Sequence, residues 1–166
     1  MTVKEAIDAR RSIRKYQDRD IEPEVLHEVL EAARLAPSAK NMQSWKFIAV
    51  TDKALRPAMV EACGGQTSVM EAPVSLVICA TEDSVMSCNQ HRSSVDCSIA
   101  MSFVMLRACE LGLGTCWLGH FYADRVKDVL GLPGNYIPVA VTPLGYPAEA
   151  GRERNRKAFD EVCEIR

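Results

Sequence analysis

The sequence lacks most of the features that would narrow a function at once. No apolar run is long enough to span a bilayer: the most apolar stretch, 97–106, is about half the ~20 residues required and runs into Arg107 and Glu110. The amino-terminal MTVKEAIDARRSIRKY has no apolar segment of the secretory kind, so a cytoplasmic protein is expected. Excess charge of one sign is also missing. Twenty Lys and Arg stand against 22 Asp and Glu, a net charge of -2, which gives no global drive toward nucleic acid or an anionic membrane. No GxGxxG or Walker loop supports a dinucleotide fold or a P-loop. Histidine is scarce, at three.

Cysteine is plentiful, at seven, but no CxxC pair occurs. Cys79, Cys109 and Cys116 lie in apolar surroundings and read as reduced core thiols. Cys88, His91 and Cys97 could contribute to a zinc site, yet the fourth ligand and the paired spacing of a structural zinc are missing, so no metal is expected.

What is present suits one soluble domain spanning 1–166, with 48% hydrophobic and 25% charged residues. Residues 3–9 form a short expected helix. Residues 23–36 form a clear amphipathic one, opened by Pro23 and closed ahead of Pro37, with His27 on its surface. KFIAVT at 46–51, VSLVICA at 74–80 and IPVAVT at 137–142 read as buried strands. Helices are expected over 55–63, 94–111 and 123–130. The stretch TCWLGHF at 115–121 should open as a short strand, and 82–93 as a mobile loop or lid. The helix over 94–111 is apolar nearly all round, so it is buried in a core or at a subunit interface. Asp96 falls in its first turn, where a carboxylate suits the helix dipole.

Three stretches carry candidate chemistry. RRSIRKY at 10–16 groups Arg10, Arg11, Arg14 and Lys15 about Ser12, a phosphate cradle or simply a solvated basic helix end. A second basic cluster, Arg152, Arg154, Arg156 and Lys157, lies at the far end of the chain; two such clusters without overall positive charge suggest a local anionic ligand. PSAKNMQSW at 37–45 is a polar loop between helix and strand, where rigid scaffolds present binding groups. In LGHF, Gly119 would allow close backbone approach to a planar ligand, and His120 is a possible acid/base or a structural residue.

In this order, RRSIRKY, PSAKNMQSW, LGLGTCWLGHF and GYP followed by RERNRK resemble the motifs of the nitroreductase family of flavin mononucleotide (FMN) enzymes over most of the chain. The resemblance implies an α+β fold with a mixed, mostly antiparallel central sheet flanked by helices, in an intertwined homodimer with FMN sites at its interface. It implies that Arg10, Ser12 and Arg14, with Arg11, hold the phosphate, ribityl chain and pyrimidine side of FMN. Arg154 and Arg156 would complete the phosphate grip. Pro37, Ser38 and Ala39 would line the ring from the other subunit, and Asn41 and Gln43 would bond its polar edge. Leu118, Gly119 and His120 would face N5 through their backbone. The flavin would carry the chemistry, with no protein nucleophile: NAD(P)H reduces it and a small-molecule acceptor, nitroaromatic or quinone, reoxidises it in ping-pong fashion. Reductive dehalogenation, enone reduction, flavin cleavage and non-catalytic redox sensing are the competing functions. The sequence departs from the family in its short 82–93 segment, in His120 and in its cysteine count.

Overall fold

The computed structural model describes residues 1–166. Four strands form one sheet in the order β1-β2-β4-β3: β1 (Trp45–Val50), β2 (Val74–Ala80), β3 (Gly114–Thr115) and β4 (Ile137–Gly145). All three ladders are antiparallel. The one parallel pairing is an isolated bridge between Ser12 and Thr115, so the expected mixed, mostly antiparallel sheet is what forms.

β2 explains the layering. All seven of its residues are buried, because both sheet faces are covered. Alternate side chains enter different cores. Val74, Leu76, Ile78 and Ala80 pack with α2 (Pro23–Arg34) and α5 (Arg92–Glu110). Val77 and Cys79 pack with Met59 and Ala62 of α3 (Arg56–Ala62) and Val126 of α6 (Ala123–Leu130). The period of two in a strand makes this division. A one-residue slip would exchange the two sets.

α2 begins with Pro at its first turn and Glu24 beside the dipole, and buries Val29 and Ala33, four residues apart on one face. It ends at Arg34, two residues before the expected limit, because Leu35 caps it and Pro37 follows. α1 (Val3–Ala9) opens on a capping box between Thr2 and Glu5. Two short helices complete the set: α4 (Ser68–Glu71), which the polar sequence after Gly65 concealed, and α7 (Phe159–Val162). The expected strand at 115–121 survives only as β3 and a bridge from Leu118 to Val141, while β4 extends three residues beyond its expected end.

Within the chain α5 is not covered all round. Cys97, Ala100, Met101, Val104 and Ala108 are buried, whereas Ser102 and Phe103 are exposed. It also starts two residues earlier than expected, so no acidic residue lies in its first turn and Asp96 is not a dipole partner. Cys79 and Cys116 are buried as expected, but Cys109 is only partly so, because it faces the basic segment rather than the core.

Candidate functional site

The two ends of the chain are laced together. Ile13 N–H donates to Thr115 O at 2.9 Å, which fixes residues 12–13 along β3. Gln17 N–H donates to Tyr146 O and Ala148 N–H to Lys15 O, each at 2.9 Å, and Tyr16 bridges Pro147. The tail therefore returns antiparallel to residues 7–17, and Arg154 Nη1 reaches Ile7 O at 2.6 Å. Gly151 permits this approach. Its φ is +74°, and a Cβ there would stand 2.7 Å from Cβ of Arg11.

The outcome is a pocket of about 200 Å³ lined by Arg10, Arg11, Ser12 and Arg14 from one end and by Arg152, Glu153, Arg154, Asn155 and Arg156 from the other. Six guanidinium groups thus meet one carboxylate among the lining residues. Burial, and then repulsion from Arg154 and Arg156, push the pKa of Arg10 below its ordinary value. Asp8 offsets part of this charge, 3.8 Å from Arg154. The guanidinium of Arg11 is engaged by the last carbonyls of α1, donating to Asp8 O at 2.7 Å and Ala9 O at 3.0 Å. Arg10 and Arg14 carry no such bonds. Cations gathered so closely and shielded in part from water call for an anion. Planar forks and a hydroxyl suit a phosphate.

An adjoining cavity of about 300 Å³ shares Arg14 and Arg152, and adds Lys15, Gln66, Thr67, Ser68 and Glu149. Glu149 Oε1 accepts the Arg14 backbone N–H at 2.7 Å, and Lys15 pairs with Glu71 at 2.6 Å. Ser68 Oγ is buried without a partner, an uncommon state that leaves a hydroxyl free for a ligand's polar edge. Sequence reasoning missed Gln66, Thr67, Ser68 and Glu149. The polar QTS directly after the helix-breaking Gly64–Gly65 was the available signal.

Other expected residues lie apart from this pocket. Leu118 is buried and donates its N–H to Val141 O at 2.9 Å, so that backbone group is already used. Gly119 and His120 are exposed. A Cβ on Gly64 would fall 2.2 Å from the His120 ring, which therefore lies against the turn leading to Gln66. The ring also meets Tyr122 edge-on. Pro37, Ser38, Ala39, Asn41 and Gln43 lie on a different cavity, or close to it, in a loop of unusual backbone. Lys40, Asn41 and Gln43 all have φ near +54° (53°, 54° and 53°). Ser38 Oγ accepts from Gln43 N–H at 3.0 Å, and Asp96 Oδ1 accepts from Ala39 N–H at 3.0 Å. Asp96 thus ties α5 to this loop. Cys97 is in the core, Cys88 is on the surface and His91 Nδ1 pairs with Asp83 at 2.7 Å; no His, Cys, Asp or Glu group gathers as metal ligands.

The profile described as "Nitroreductase family" matches residues 7–70 and 62–146, most of the chain. The chain belongs to the nitroreductase family. Its similarity to a Methanothermobacter thermautotrophicus protein, provisionally named NADH dehydrogenase/NAD(P)H nitroreductase, is 40% identity over 153 residues, covering 90% of this chain and 79% of that protein. It is 31% identical to the FMN reductase [NAD(P)H] of Bacillus subtilis, covering 92% and 68% of the two chains. The crystal structure of a nitroreductase family protein from Clostridium novyi NT superposes with a TM-score of 0.83 at 32% identity, covering 90% of this chain and 87% of that one. No helix of this family member is long and apolar enough to cross a membrane.

Proposed function

We propose that this protein is an NAD(P)H-dependent flavin oxidoreductase that holds FMN and passes electrons to a nitroaromatic, quinone or similar acceptor in a ping-pong cycle. The observation that carries the proposal is the pocket built from both chain ends, with six arginines against one carboxylate. The residues present fit FMN. The arginine pocket takes a phosphate, and the neighbouring cavity offers Arg14 with the unpartnered Ser68 hydroxyl for the polar side of a ring. When bound, FMN supplies the acceptance and delivery of reducing equivalents at N5.

The chain's own part is binding, orientation and charge. Arg10, Arg154 and Arg156 hold the phosphate with fixed positive charge, Ser12 adds a hydroxyl, and contacts with α1 steady both Arg11 and Arg154 beside it. Arg14, steadied by Glu149, sets a positive charge beside the ring cavity, preorganised stabilisation that needs no movement during reaction. Of Leu118, Gly119 and His120, only the His120 ring approaches that cavity, through its contact with Gly64 two residues before Gln66. His120 has no assigned proton transfer.

The reading requires two copies. In one chain Pro37, Ser38, Ala39, Asn41 and Gln43 do not line the arginine pocket, so in this proposal they frame the ring bound to the partner subunit. Apolar surface supports the homodimer: Val3, Phe103 and Leu106 line a groove of about 370 Å³, and Phe159, Val162 and Ile165 project from the tail. The deciding experiment is the absorbance of the purified protein. A yellow protein that releases FMN on denaturation is expected, and a colourless one that cannot be reconstituted with FMN ends the proposal.

A further inference from the structure

Arg92 is placed where a cation is disfavoured twice. It opens α5, at the positive end of the helix dipole, and it is 7% exposed. Its hydrogen-bond account does not close. Nε is buried with no partner. Nη1 meets only the thioether of Met42, a weak acceptor, and Nη2 stands 3.5 Å from Glu82, whose carboxylate is mostly in solvent. Asp83 makes no bond to it; its oxygens pair with His91 and the Ser93 N–H.

Arg92 lines a cavity of about 370 Å³ between the 39–42 and 84–87 loops. Lys40 adds a second cation and Ser87 a hydroxyl. Met42, Val85 and Met86 supply apolar, polarisable walls, and no carboxylate lines the space. The size suits a small molecule. The four non-glycine residues of positive φ, Lys40, Asn41, Gln43 and Asn89, all belong to the loops that bear this cavity, and such backbone collects at functional sites.

We propose that this cavity is a binding site for aromatic carboxylates, with the carboxylate on the Arg92 guanidinium and the ring between Met42, Val85 and Met86. A bidentate carboxylate satisfies the donors that the protein leaves open, while Lys40 adds attraction at the mouth. Resting on the proposed function, in which this loop frames the partner's flavin, the site selects acidic aromatic acceptors over neutral ones.

The test is equilibrium titration of the purified protein, without reductant, using 2-naphthoate and its neutral counterpart 2-naphthamide. Naphthoate is expected to bind at least tenfold more tightly. Arg92→Met should abolish that preference. Two substitutions at exposed positions guard against misfolding: Lys40→Ala should weaken naphthoate binding a few-fold, and Met42→Glu, which offers Arg92 a carboxylate of the chain itself, should eliminate it. Equal affinity for the two probes, or naphthoate binding undiminished in Met42→Glu, overturns the proposal. A colourless protein whose naphthoate preference is lost in Met42→Glu retains this site and loses the flavin; a yellow protein indifferent to the carboxylate does the reverse.

Discussion

Arg14 shows most plainly what single residues do here. It lines both the arginine pocket and the neighbouring cavity, and its backbone N–H is held by Glu149 from the returning tail. In the proposed function, truncating it would remove charge beside the flavin ring while leaving the other phosphate contacts. Arg14→Ala is therefore expected to weaken FMN binding by about 2 kcal/mol, the scale of one charge-assisted hydrogen bond, and to slow reduction by NAD(P)H. Flavin content after gel filtration and stopped-flow bleaching measure the two effects; unchanged values in both would refute the role. Asp96 shows how local sequence reasoning misassigns a residue. Its position near a helix start suggested a dipole partner, but its carboxylate accepts the Ala39 N–H, a contact spanning 57 residues that no spacing rule reveals.

Elements were legible where periodicity was strong. β2, α2 and α6 stand within two residues of expectation, since an unbroken β-branched run and clear amphipathic faces leave little choice. The stretch from Gly114 to Leu118 was not legible. Its pairings, Gly114 with Gly145, Thr115 with Ile13 and Leu118 with Val141, join residues remote in sequence. The tail 146–156 has no periodicity at all, and its course is set by backbone bonds to Lys15 and Gln17 and by the side chains of Glu149 and Arg154, which bond the backbone of Arg14 and Ile7. Its arginines could be nominated from composition, but their meeting with Arg10–Arg14 could not be derived. Gly151 is the point on which this return depends, and Gly151→Val should displace the tail. Both the positive φ and the 2.7 Å approach to Arg11 oppose any Cβ, and a β-branched side chain most of all. The expected result is lost FMN retention with the thermal midpoint lowered by only a few degrees, because the tail adds little to either core. Limited proteolysis with carboxyl-terminal sequencing would report the freed tail; an intact tail with lost FMN would contradict this account.

At the scale of the whole molecule, the cores on the two sheet faces hold thiols that link stability to pH. Burial raises Cys63 and Cys79 from 9.0 to about 11, and Cys97 to about 12. A folded pKa above the unfolded value means that the unfolded chain loses its protons first as pH rises. The contribution is complete below pH 9.0 and falls away as pH climbs toward 11–12. The slope is on the order of 1 kcal/mol per pH unit for each thiol, so urea midpoints should drop steeply above pH 9 and recover in a Cys63→Ala, Cys79→Ala variant relative to its own neutral value. A midpoint flat from pH 8 to 11 would show the thiols to be uncoupled from folding.

The proposed homodimer has a consequence for assembly. The arginine pocket and the 37–43 loop lie on separate cavities of one chain, so the proposed site, which needs both, would take them from two copies. A mixed dimer tests this directly. One chain carries Arg14→Ala with Arg154→Ala, and the other carries Asn41→Ala with Gln43→Ala. Each homodimer has two defective sites. In the mixed dimer one site collects every substitution and the other none, so differential tagging and co-purification should yield about one FMN per dimer. A site completed within a single chain would instead leave both sites of the mixed dimer impaired, each by its own substitutions. The flavin stoichiometry of the mixed dimer, measured against its two parents, separates these arrangements.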